Sequence, residues 1–151
     1  TTSLDELQDG AEIAVPNDTT NEARALQLLE QQGLIKLKEG VGLEATVKDI
    51  VENPQNLKIT ELPAEQLSRA LSDVDFAIIN GNYALSAGLA GKALVTEGTD
   101  TQAKEEFQNV LAVRGGDENR EEIKALIAAL TSDETKAYME QTYPGVVIPV
   151  F

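Results

Sequence analysis

Val15-Pro16-Asn17-Asp18-Thr19-Thr20-Asn21-Glu22-Ala23-Arg24 is the stretch on which the fold turns. It joins the end of an apolar run to a turn and then to a helix start. Glu12 to Val15 predicts a short strand, and Pro16 to Asp18 the turn that leaves it. Thr19-x-x-Glu22 has the form of a capping box, opening a helix whose buried stripe is Ala25, Leu26, Leu28 and Leu29. Asn21 and Arg24 stand three apart in the first turns and therefore share a helix face. The N–H groups and positive dipole end of the helix lie beside them. A carboxylate placed there would meet dipole, amide and forked guanidinium donors together, which makes the segment a candidate cradle for a small anion.

Short apolar runs alternate with helical patterns along the chain, which predicts an α/β fold on a mainly parallel sheet. The first helix is expected from about Thr20 to Gln32, stopped by Gly33. Leu34–Leu37 alternates like a half-buried strand or extended segment, and Thr46–Val51 carries a marginal helix pattern that Asn53-Pro54 ends. Leu57–Leu62 alternates at period two as a strand. Pro63 stands where a helix begins, with Leu67, Ala70 and Leu71 as its stripe. Asp75–Ile79 is the most apolar strand candidate and is expected in a central, doubly covered position. It ends at Asn80-Gly81-Asn82-Tyr83, before a short helix through Leu85 to Ala87. Beyond Gly88 the character changes. Thr96 to Lys104 is polar and reads as a linker or hinge, Glu106–Val113 as a strand and Asp117–Leu130 as an amphipathic helix. Thr131-x-x-Glu134 repeats the capping-box form before a last helix to about Thr142, and Val146–Phe151 is an apolar tail expected to dock against something.

The chain of 151 residues suits one domain, or one lobe with an appendage. With 26 acidic against 12 basic residues and a net charge of −14, its surface repels a phosphate backbone, so nucleic acid is not an expected partner. Histidine and cysteine are both absent. That removes Ser-His-Asp and Cys-His nucleophiles, His/Cys zinc sites, iron–sulfur clusters and disulfides. No stretch approaches the roughly 20 apolar residues of a membrane span. Thr1-Thr2-Ser3-Leu4-Asp5 has neither the basic start nor the apolar run of a signal peptide, so an export signal is expected outside this chain.

The cradle gains weight from a second polar cluster. Asn80-Gly81-Asn82-Tyr83 also follows a buried strand, and ligands of open α/β sheets collect at the carboxyl ends of strands. Gly81 would let backbone approach a ligand closely. Asn80 can offer its side-chain carbonyl to an ammonium while Arg24 holds a carboxylate, so the two clusters together describe an amino-acid site. The plainer alternative is an exposed Arg24 paired with Glu22 or a neighbouring Asp. Asp73-x-Asp75 and Asp117-x-Asn119-x-Glu121 lack the glycine and terminal glutamate of a calcium loop and read as solvated acidic surface. Glu105-Glu106 and Glu121-Glu122 point adjacent carboxylates to different sides of an element, a poor arrangement for acid–base work. Gly40-x-Gly42 and Gly115-Gly116 lack the partners of a phosphate loop and read as turns. Neither a catalytic residue nor a metal or cofactor is expected. Asn17-Asp18-Thr19 matches the glycosylation sequon.

The runs Ile13-Ala14-Val15-Pro16-Asn17-Asp18, Thr20-Asn21-Glu22-Ala23-Arg24-Ala25-Leu26 and Gly33-Leu34-Ile35-Lys36-Leu37-Lys38 resemble the substrate-binding lipoproteins of methionine ABC importers. Val47-Lys48-Asp49-Ile50-Val51-Glu52-Asn53-Pro54, Asn56-Leu57-Lys58-Ile59 and Gln66-Leu67-Ser68-Arg69-Ala70-Leu71 continue the likeness. So do Ala77-Ile78-Ile79-Asn80-Gly81-Asn82-Tyr83-Ala84 and the ending from Thr131-Ser132-Asp133-Glu134, so that it spans almost the whole chain. The resemblance implies one lobe of a type II periplasmic-binding-protein fold with a C-terminal helical extension. Residues 1–98 would be the second, ligand-binding lobe, and residues 99–151 a crossover segment and helices that complete the first lobe. It implies non-catalytic binding of methionine or a related amino acid, with Asn21 and Arg24 on the ligand's backbone and Asn80 beside them. The ligand would pass to a membrane permease, from a receptor held outside the cytoplasm by an N-terminal lipid.

By the same resemblance the chain begins where the second lobe begins. The lipid-modified cysteine and the aromatic and histidine groups that embrace the methionine side chain fall outside it, so a truncated fragment is expected. The apolar faces of Asp117–Leu130 and Val146–Phe151 would then fold back onto this lobe or pair with another copy, since monomers tolerate few large apolar patches. The alternative from another class is a fragment without ligand binding that acts only through protein–protein association.

Overall fold

A computed structural model of the protein describes residues 3–89, 91–97 and 108–151. The chain divides into two compact units, Thr1–Glu97 and Gly98–Phe151.

The first unit is built on strand β1, Glu12–Pro16, which lies between β4, Lys58–Leu62, and β5, Phe76–Ala77, in the order β4-β1-β5. All three run parallel, with Ile13 opposite Ile59 on one side and Phe76 on the other. The expectation that Asp75–Ile79 is the central strand is therefore corrected. Ile13, Ala14 and Val15 are 2%, 0% and 0% exposed, whereas Phe76 and Ala77 are half-buried at the edge of the sheet among the described residues. An apolar composition reports that a strand is covered, not which strands lie beside it.

Helix α1, Thr19–Gln31, covers the sheet with Ala23, Ala25, Leu26 and Leu29. Its end matches the sequence reading: Gly33 adopts a φ of 71°, and the N–H of Leu34 donates to the Leu29 carbonyl at 3.0 Å. Strands β2, Lys36–Leu37, and β3, Ile50–Glu52, form a separate antiparallel pair. The helix pattern over Thr46–Val51 is accordingly corrected to a 3-10 turn, Val47–Asp49, that runs into β3. The turn opens on a capping box that sequence reasoning missed. The Thr46 N–H and hydroxyl both donate to one Asp49 carboxylate oxygen, at 2.9 and 2.7 Å, which fixes the start of the turn at Thr46. After a 3-10 turn at Ala64–Gln66 comes α2, Leu67–Ala70, which buries Leu67 completely but leaves Leu71 39% exposed. Helix α3, Gly81–Ser86, follows β5.

In the second unit, residues 108–113 have no regular structure and Val110 is 83% exposed, so the strand expected at Glu106–Val113 is not formed over its described part. A lone apolar run gains no ladder without a neighbouring strand. Glu105, Glu106 and most of the proposed linker, residues 98–104, lie outside the described residues. Helix α4 is Glu121–Leu130; Asp117 to Arg120 forms a turn ahead of it. Helix α5 is Asp133–Thr142, and its cap is Ser132, whose hydroxyl accepts from the Thr135 N–H at 3.2 Å. The capping box expected at Thr131 is thus replaced by an N-cap one residue later, and Thr131 donates its hydroxyl to the Ile127 carbonyl instead. Leu126, Ile127, Leu130, Ile148, Val150 and Phe151 are 42–50% exposed, and no residue of the tail is fully buried among the described residues.

Candidate functional site

Because β1 and β5 run parallel, their carboxyl ends emerge on one edge of the sheet. The chain leaving β1 reaches Asp18, which adopts an extended backbone and caps α1 by accepting from the Asn21 N–H at 3.2 Å. The capping box expected at Thr19-x-x-Glu22 is corrected: an aspartate one residue earlier takes the cap. Glu22, only 5% exposed, instead accepts the Val47 N–H at 3.1 Å and ties α1 to the turn before β3.

Asn21, Arg24 and Asn80 meet in one hydrogen-bonded network. The Asn21 amide nitrogen donates to both carboxylate oxygens of Asp18, at 2.9 and 3.1 Å. Its oxygen accepts from Arg24 Nη1 at 3.3 Å and from Asn80 Nδ2 at 2.8 Å. Asn80 is the residue preceding α3, yet its side chain does not cap that helix and turns to Asn21. The Oδ1 of Asn80 is buried and meets no hydrogen-bond donor among the described residues.

Arg24 also binds Glu97, which accepts from Nε at 3.0 Å and from Nη2. Both side chains are 29% exposed. This partner is neither Glu22 nor the neighbouring Asp of the plainer sequence alternative. Glu97 carried no local signal, lying in a segment that reads as linker. Asp18 was visible in the opening stretch, but its grip on Asn21 depends on the side-chain geometry of the helix start.

Burial pushes the Glu22 carboxyl above its ordinary range, with Glu61, Asp18 and Asp49 adding repulsion and the Val47 N–H opposing them. Hydrogen bonds from the Thr46 hydroxyl and backbone N–H hold Asp49 below its usual value. Three members of the other acidic pairs have structural partners. Asp75 accepts the Glu12 N–H at 2.8 Å, Glu121 pairs with Lys124 at 2.8 Å, and Glu122 lies 3.5 Å from Arg120. Gly40, Gly42 and Gly116 take positive φ values of 79°, 51° and 97° in turns.

This arrangement can hold a small ligand that carries a donor toward Asn80 and an anion toward Arg24. The chain is 46% identical over 146 residues to the D-methionine-binding lipoprotein MetQ of Escherichia coli, covering 95% of this chain and 53% of that protein. It spans about half the length of the curated relatives it matches. The periplasmic substrate-binding protein of an ABC transporter from Coxiella burnetii has the same fold, with a TM-score of 0.85 and 46% identity over 99% of this chain and 62% of its own. A nutrient binding protein from Burkholderia cenocepacia, solved bound to methionine, gives a TM-score of 0.83 and 42% identity over 100% of this chain and 63% of its own. The family match extends over residues 1–151, and the chain belongs to the NlpA lipoprotein family.

Proposed function

We propose that this chain contributes the amino-acid-binding lobe of a non-catalytic substrate receptor for an ABC importer, with methionine as the ligand. Arg24 holds the ligand carboxylate, Asn80 accepts from its ammonium, and Asn21 joins the two. The observation that carries the reading is the buried Oδ1 of Asn80, an acceptor that meets no donor among the described residues, joined through Asn21 to a guanidinium. A buried acceptor is stabilised by a donor that reaches it, and a charged donor does so most strongly. In the same reading residues 1–98 are the second lobe, and residues 99–151 complete the first lobe of a receptor anchored by lipid outside the cytoplasm.

Titration of the isotope-labelled chain with tens of millimolar methionine tests this. Shifts are expected at Asn21, Arg24 and Asn80, together with a thermal stabilisation of about 1.4 kcal/mol when methionine reaches ten times its Kd. The absence of both overturns the reading.

The exposed side chains of Leu126, Ile127, Leu130 and Phe151 favour a second reading, in which this surface pairs with another copy or another protein without ligand binding. Concentration-dependent sedimentation combined with no methionine response selects it.

A further inference from the structure

We propose that Asp18 is a positioning residue that sets the polarity of the site: through Asn21 it obliges Asn80 to present an acceptor, and so selects a ligand bearing a protonated amine. This rests on the amino-acid reading above.

A carboxylate offers acceptors only, whereas an amide is a donor at one end and an acceptor at the other. Asp18 takes the Asn21 NH2 on both of its oxygens, at 2.9 and 3.1 Å, and so turns the Asn21 oxygen away from itself. That oxygen faces Asn80 Nδ2 at 2.8 Å and Arg24 Nη1 at 3.3 Å. Since an oxygen only accepts, Asn80 has to point its own NH2 at Asn21. Its Oδ1 is what remains at the buried end of the relay. Reversing Asn80 would set two amide oxygens face to face. Reversing Asn21 would set an NH2 against the Arg24 guanidinium and an oxygen against the Asp18 carboxylate. Asn21 therefore hands on to Asn80 the polarity that the Asp18 carboxylate imposes, and Asp18 governs ligand choice without touching the ligand.

The test is Asp18→Ser in the 151-residue chain. Serine also caps helices well, so α1 is retained, but a hydroxyl both donates and accepts, which leaves the Asn21 amide to the longer, 3.3 Å bond from Arg24 Nη1. The first readout needs no ligand: hydrogen exchange of the Asn80 side-chain NH2 is expected to quicken about tenfold, with the circular dichroism unchanged. The second is the ratio of affinities for methionine and its deaminated analogue, 4-(methylthio)butanoate. That ratio is expected to fall about tenfold, while the analogue's own affinity stays within about twofold. Unchanged Asn80 exchange overturns the relay, and an unchanged ratio alongside measurable methionine binding overturns its role in selection. A parent chain that binds neither compound while the Asn80 amide still responds overturns the amino-acid reading, and ligand selection with it, leaving the relay in place.

Discussion

The Glu97 carboxylate lies along the side of the Arg24 guanidinium, accepting from Nε at 3.0 Å and from Nη2, although the two residues are 73 apart in sequence. A ligand carboxylate approaching Arg24 meets this resident negative charge. Glu97→Gln removes the charge and keeps the shape. Methionine affinity is expected to rise about 1.4- to fivefold, in keeping with the roughly 0.2–1 kcal/mol of a partly exposed ion pair. Calorimetry at low salt measures it, and a loss of affinity would show instead that Glu97 holds Arg24 in place.

Arg24→Ala deletes the guanidinium of the network while leaving Asn21 joined to Asp18 and Asn80. Carboxylate binding is expected to vanish, with folding stability changed by no more than about 1 kcal/mol, as for most partly exposed positions. Unchanged binding in calorimetry removes Arg24 from the site.

Glu22 titrates above its ordinary 4.5 because it is buried among carboxylates. A carboxyl raised on folding contributes stability that is complete below the unfolded value and is lost as pH rises through the folded one. Glu22→Gln keeps an oxygen for the Val47 N–H and never ionises. Its stability relative to the parent chain is therefore expected to grow between pH 4.5 and neutrality. Thermal midpoints of both proteins across that range check the sign, and a constant difference would contradict it.

Gly33 closes α1 at a φ of 71°, and an added Cβ would meet nothing within 4 Å. The cost of Gly33→Ala is therefore conformational alone, about 1–2 kcal/mol. Gly33→Asn is expected to cost less, since asparagine tolerates the left-handed region. Urea midpoints of the two variants give the comparison, and equal midpoints would disprove it.

What the sequence made legible was local. β1, α1, its glycine stop and β4 follow from periodicity and punctuation within a few residues. Asn21 and Arg24 follow from helical spacing, and Asn80 from its place after a strand. Strand order was hidden, because apolar composition cannot name a neighbour, and β5 proved to lie at the edge of the three-stranded sheet beside β1. Two N-caps were misplaced by a single residue each, where Asp18 and Ser132 took the cap in place of the adjacent threonines. Glu97 was invisible for a different reason: its meaning lies entirely in a partner far along the chain.

The hydrogen bond from Asn80 to Asn21 joins residues 59 apart in sequence. A ligand bridging Asn80 and Arg24 would bind across the same long loop and act as a removable staple. Its benefit would come from loop-closure entropy, which grows only slowly with loop length. Binding should thus slow the fraying of β5 away from β1 more than it slows the loosening of α1, whose contacts close within its own turns.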